Sequence, residues 1–118
     1  MLSGAMPTIF VRDMNAAVRF YTETLGFKLA ARYGNHFASI DCGGAAIGLH
    51  PASAQNPAGT VSIGFRASMP IREAAASLKA GGAAVSGDVV DDQQVLLLNF
   101  RDGDGTPLYV TEMKSRGS

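Results

Sequence analysis

Two stretches of this chain repeat one pattern, and a chain written that way is constrained to fold as two similar halves. The first runs through Phe10, Val11, Arg12, Asp13 and Met14, then a helical segment from Ala16 to Leu25, then Gly26 and Phe27. The second runs through Ile63 to Phe65, Ser68 and Pro70, then a helical segment from Ile71 to Ala80, then Gly81 and Gly82. A solenoid needs about three or more stacked repeats, so two copies point to a duplicated half-domain arranged about a pseudo-twofold axis. The expectation is a single domain over residues 1–118, with halves at about 6–50 and 60–113 and a connector at 51–59. Duplicated halves meet at a seam, and a seam is where a ligand site is expected.

Local patterning fills in each half. Met6 to Val11 alternates as a strand, with Ile9 and Val11 on one face and Met6, Thr8 and Phe10 on the other. Asp13 caps a helix whose apolar stripe is Met14, Ala17, Val18, Tyr21 and Leu25, and Gly26 supplies a left-handed stop. Phe27 to Arg32, His36 to Asp41 and Ala45 to His50 read as three strands separated by Gly34-Asn35 and Gly43-Gly44. Pro51 to Pro57 has two prolines and no apolar period, which makes it a loop. Thr60 to Phe65 reads as a strand, and Ile71, Ala74, Ala75 and Leu78 form the stripe of a second helix with Pro70 in its first turn. Ala83 to Val90, Gln94 to Phe100 and Leu108 to Met113 complete a second βαβββ unit.

The fold class is therefore α+β: duplicated βαβββ halves forming one curved, eight-stranded mixed sheet with both helices on its outer face. The opposite face would close into a trough, a ready ligand site. If Ile9, Val11, Val61, Ile63, Phe65, Leu108 and Val110 pack on the helices, alternation places Met6, Thr8, Phe10, Thr60, Ser62, Gly64, Pro107, Tyr109 and Thr111 in that trough. Its floor is uncharged.

Bulk properties exclude several classes. Ten basic and ten acidic side chains give a formal net charge of zero, so no field draws in nucleic acid or an anionic membrane. The longest apolar run, Val95 to Leu98, is far short of the roughly 20 residues that span a bilayer. Cys42 is the only cysteine, which excludes an internal disulfide and suggests a reducing, cytoplasmic setting. No G-x-S-x-G elbow, Walker loop or dinucleotide fingerprint occurs.

Val11-Arg12-Asp13-Met14 leading to Phe20-Tyr21 and Leu25-Gly26-Phe27, the Gly43-Gly44 to Leu49 strand, and Phe100-Arg101-Asp102-Gly103-Asp104-Gly105 before the last strand together carry a likeness. In their order and spacing they resemble the vicinal oxygen chelate superfamily of glyoxalase I, bleomycin-resistance proteins, extradiol dioxygenases and fosfomycin-resistance enzymes. The resemblance covers nearly the whole chain. It implies a divalent metal held by His, Glu or Gln on the first, fourth, fifth and eighth strands. Carried over, these positions are Met6, Gly48, Thr60 and Tyr109, with one residue of latitude at Gly48 and Thr60. The neighbours Ile47, Leu49, Val61, Leu108 and Val110 are aliphatic, so neither register offers a usual ligand. The expectation is accordingly no metal and no cofactor.

What remains resembles the metal-free, bleomycin-resistance-like branch, whose members hold an antibiotic or another flat, bulky molecule in the trough of a homodimer. The resemblance implies a homodimer here too. Phe10 and Tyr109 would offer stacking faces and Met6 an adaptable thioether. The expected ligand-binding set is Met6, Thr8, Phe10, Gly48, His50, Thr60, Ser62, Tyr109 and Thr111. The alternative is a metal-dependent lyase, isomerase or dioxygenase of the same superfamily, with His50 and Tyr109 serving an unusual metal site or metal-free proton transfer. A third reading is an interaction module that binds no small molecule.

His50, two residues beyond Gly48, shares its face and is the sole acid–base candidate there, although a solvated rim histidine is the commoner outcome. His36 follows a glycine turn, where exposure is the rule. Cys42 lacks a CxxC partner and reads as a small, core-like thiol. Asp102 and Asp104 lack the further oxygen ligands and closing Glu of a calcium loop and read as a hairpin turn. Glu112 should point to the helix side or the edge, and Arg12 and Arg66 to solvent, the helix ends or the rim.

Overall fold

The computed structural model describes residues 2–92 and 95–114. Its fold is α+β, an eight-stranded mixed sheet with two helices, as the doubled pattern leads one to expect. The chain divides into two compact units, one of residues 6–62 and the other of residues 1–5 with 63–118.

In the unit of residues 6–62, β1 (Leu2–Val11) contributes its Met6–Val11 portion. It continues through helix α1 (Met14–Arg19) to β2 (Lys28–Tyr33), β3 (Phe37–Asp41) and β4 (Ala46–Pro51). The strand order is β2-β3-β4-β1. β2–β3 and β3–β4 pair antiparallel and β4–β1 parallel. Asp13 Oδ1 accepts from the Ala16 N–H at 3.1 Å, satisfying one of the orphan donors of the first turn. Met14, Val18, Ala38, Ile40 and Leu49 form the core, with Ile9, Val11, Ala17, Tyr21, Phe27, Cys42 and Ile47 packed around it.

The predicted stripe fails at its last member. After Arg19 the helix widens into a π-helical turn, Phe20–Thr24, in which the Leu25 N–H reaches Phe20 O at 3.0 Å. The extra residue in that turn rotates everything beyond it about the helix axis. Leu25 is left 46% exposed, and Phe27 packs on the core instead.

In the other unit, β5 (Val61–Ala67) contributes its Ile63–Ala67 portion, and α2 (Ile71–Ala80), β6 (Ala84–Asp92), β7 (Val95–Arg101) and β8 (Pro107–Met113) follow in sequence. The strand order is β5-β8-β7-β6, with β5–β8 parallel and the other two pairs antiparallel. Ile71, Leu78, Leu98, Phe100 and Val110 form its core, with Leu2, Phe65, Ala75 and Leu108 against it. Leu2 accounts for the four residues by which β1 begins earlier than the alternation suggests. Val61, expected on the helix side, is exposed. Gln94, the expected start of the seventh strand, lies outside the described residues.

Pro70 immediately precedes α2 rather than lying in its first turn, and it provides no side-chain cap. That role falls to Glu112, whose Oε1 accepts from the Ile71 N–H at 2.8 Å. Glu112→Ala is expected to cost about 0.5–2 kcal/mol, the usual loss of a helix cap, read as a lowered urea midpoint at constant m. An unchanged midpoint would show that water replaces the carboxylate without loss.

Asp102 shapes the β7–β8 turn. Its Oδ1 accepts from the backbone N–H of Thr106 at 2.8 Å and of Asp104 at 3.0 Å. These bonds, Thr106 foremost, hold the carboxyl below its ordinary value. The segment is a hairpin turn, as its glycines suggest.

Candidate functional site

Alternation sorts the strand residues of the unit 6–62 onto two faces. Ile9, Val11, Ala38, Ile40, Ile47 and Leu49 belong to the α1 core, so Met6, Thr8, Phe10, Phe37, Gly48 and His50 take the opposite face. The β1–β4 register sets Thr8 beside Gly48 and Phe10 beside His50. The Phe10 and His50 rings meet edge-on, with centroids 5.3 Å apart and planes at 61°. Thr8 and Ser62 are 1% and 3% exposed and Phe10 is 8% exposed, while Met6, His50 and Thr60 are half-buried.

Phe37 belongs with this set although alternation along β1 and β4 did not single it out. Its ring covers Gly48: a Cβ there would stand 2.9 Å from Phe37 Cε1 and 2.8 Å from Thr8 Oγ1. The signal for it lies in pairing, not in its own segment, because the β3–β4 register sets Ser39 against Gly48 and so brings Phe37 to that face.

In the other unit Tyr109 repeats the arrangement. Gly64 and Tyr109 are register partners, and a Cβ on Gly64 would meet Tyr109 Cζ at 2.2 Å. Thr111 lies one alternation further along β8, where its hydroxyl donates to Phe65 O at 3.4 Å. Each unit thus carries an aromatic ring laid on a strand glycine.

The remaining candidates take their bland roles. His36, Arg12 and Arg66 are exposed. Cys42 is a free, half-buried thiol whose Sγ lies 3.8 Å from Ile40 O. A cleft of about 250 Å³ opens elsewhere in the unit 6–62, lined by Val11, Arg12, Asp13, Met14, Asn15, Asn35 and Pro51. Arg32 braces its wall, donating to Asn15 Oδ1 at 2.6 Å and Asn35 Oδ1 at 3.0 Å.

The model of the glyoxalase/bleomycin resistance protein/dioxygenase superfamily matches residues 5–108. The chain belongs to this superfamily. A relative from Mycolicibacterium smegmatis is 31% identical over 106 residues, 88% of this chain and 90% of that protein. Among solved structures, a NAD-dependent benzaldehyde dehydrogenase from Legionella pneumophila has a TM-score of 0.79 at 13% identity, covering 94% of this chain and all of that one (100%). A glyoxalase/bleomycin resistance protein/dioxygenase superfamily member from Vibrio splendidus has a TM-score of 0.61 at 14% identity, covering 95% and 99%. At such identities the structures share the fold with this superfamily chain, and nothing about chemistry follows from them.

The metal implied by the superfamily can be tested against the side chains present. Gly26 and Gly82, both with positive φ after a helix, lie 56 positions apart (82 − 26), as do Val11 and Ala67 (67 − 11), which end β1 and β5. The same offset matches Met6 to Ser62, favouring Ser62 over Thr60 as the fifth-strand position. Met6, Gly48, Ser62 or Thr60, and Tyr109 supply a thioether, no side chain, a hydroxyl and a phenol. Divalent sites need imidazole, carboxylate or thiolate donors, so this set does not fit. Gly48 has no room for a longer ligand either, given Thr8 and Phe37.

Proposed function

We propose that this superfamily member binds a small, largely apolar or aromatic molecule without a metal, on the sheet faces opposite the helices, as a cytoplasmic homodimer. The supporting observation is the lining itself. The face opposite α1 carries Phe10, Phe37, Thr8 and His50, and the corresponding face of the other unit carries Tyr109, while the positions of the superfamily's metal ligands hold a thioether, a glycine, a hydroxyl and a phenol. Aromatic rings contribute area and orientation to a flat ligand at low entropic cost. Phe20, Leu25, Leu29 and Tyr33 are exposed and offer the unit 6–62 apolar surface for a second copy. No helix among the described residues is long and apolar enough to cross a membrane, and the free Cys42 thiol suits a reducing compartment.

Metal content of protein purified without chelator, with thermal unfolding in added Mn²⁺, Fe²⁺, Ni²⁺ and Zn²⁺, tests the metal-free reading. The expected result is substoichiometric metal and an unmoved melting temperature. Near-stoichiometric metal with a raised melting temperature would sink it and restore the lyase, isomerase or dioxygenase alternative. For an aromatic ligand found by melting-temperature screening, Phe10→Leu and Tyr109→Ala should each weaken binding about threefold to tenfold, the worth of one aromatic contact.

A further inference from the structure

We propose that His50 presents its Nε2 lone pair as the hydrogen-bond acceptor that selects aromatic ligands bearing a weakly acidic O–H, phenols above all. The inference rests on the small-molecule reading above and adds the ligand class.

The tautomer follows from one contact. His50 Nδ1 lies 2.9 Å from the Pro51 carbonyl oxygen. A carbonyl can only accept, so Nδ1 must carry the proton. A neutral imidazole has one N–H, which leaves Nε2 as a bare acceptor. No partner for Nε2 occurs among the described residues.

The ring is also held in place. Its edge-on contact with Phe10 and the Phe10–His50 register of β1 and β4 fix it beside an aromatic neighbour on the face opposite α1. The Nδ1 contact with Pro51 O and the edge contact with Phe10 both favour this ring orientation, so the acceptor is preorganised. An aromatic ligand packed by Phe10 would bring a ring substituent to Nε2. A hydroxyl there gains a hydrogen bond, and an ether oxygen, itself an acceptor, gains none. The site should therefore distinguish a phenol from its methyl ether, two molecules of nearly the same shape and apolar area.

Two measurements test this. In ¹⁵N NMR of the wild-type protein, at a pH above the ordinary imidazole range and with His36→Asn to assign the signals, His50 should show a protonated Nδ1 and a bare Nε2. The reverse tautomer overturns the inference whatever the protein binds. In fluorescence titration, 1-naphthol should bind the wild type about threefold to tenfold more tightly than 1-methoxynaphthalene. In His50→Phe, which keeps a ring against Phe10 but removes the acceptor, the ratio of the two affinities should fall to about one, whatever the change in either affinity alone. Equal affinities in the wild type, or a preference that survives His50→Phe, overturn the inference alone. Failure of both compounds to bind the wild type overturns the small-molecule reading and this inference with it.

Discussion

Leu49→Ala is expected to lower the unfolding free energy by about 2–5 kcal/mol, the range for truncating a fully buried leucine. Leu49 is 0% exposed and sits among Met14, Val18, Ala38 and Ile40. It is hydrogen-bonded into the sheet on both sides, paired with Ile9 of β1 and Ala38 of β3. A strand flanked by two partners cannot shift inward to close a hole, and Ala38 is too small to fill one. The loss should therefore approach the upper half of that range. Against the ~5–15 kcal/mol that holds an ordinary domain together, this is a large fraction. Leu29, paired with Ile40 on the edge strand β2 but 43% exposed, is the matched control, and Leu29→Ala should change stability by about 0.5 kcal/mol or less. Urea unfolding with unchanged m reads both. Equal losses would mean that the packing against α1 is not where this unit draws its stability.

The strand partner of Leu49, Ile9, shows which parts of the molecule were legible in the sequence. Strand alternation and helix periodicity depend on the chain's own neighbours, so they place Ile9, Val11, Val110 and the stripe of Ile71, Ala74 and Leu78 without knowledge of the fold. The Asp13 cap is legible for the same reason. Leu25 escapes because a single wide turn after Arg19 changes the phase of everything beyond it, and no residue type announces that turn. Leu2 escapes because the intervening Ser3, Gly4 and Ala5 carry no alternation. Glu112 reads as facing the helix side or the edge, and the structure takes it to the helix; its partnership with Ile71 spans 41 positions of sequence (112 − 71) and had no local sign.

The candidate site is less legible than the core, for the same reason. Its neighbours are brought together by register, which one strand does not specify. Thr8, Phe10, Gly48 and His50 can be assigned to one face from alternation, but that Phe37 covers Gly48 depends on how β3 pairs with β4. The tautomer of His50 depends on a side-chain rotation toward its own neighbour, Pro51, which composition and spacing do not encode.

Gly48→Ala is expected to destabilise the protein by about 1–3 kcal/mol, the ordinary cost of overpacking. The new Cβ would lie 2.8 Å from Thr8 Oγ1 and 2.9 Å from Phe37 Cε1. The phenyl edge is the far end of a flexible side chain and can swing aside. Thr8 Oγ1 is one bond from its Cβ on a paired strand and can leave only by changing rotamer in a site that is 1% exposed. Gly64→Ala is the instructive comparison. There the encroached atoms all belong to the distal ring of Tyr109, which is only half-buried, so a closer overlap should be relieved at lower cost than at Gly48. A double-mutant cycle separates the two obstacles. Thr8→Ala should recover part of the Gly48→Ala loss, with a coupling of about 0.5–3 kcal/mol between touching residues. Additive losses would show that Thr8 is not the obstacle. The same crowding bears on function, because the position where the superfamily's pattern places a fourth-strand metal ligand is the one where a side chain collides first. A Gly48→Glu chain therefore has to displace Phe37 and Thr8 before it can offer a carboxylate, and gain of metal binding by that single change would contradict the packing that Gly48→Ala probes.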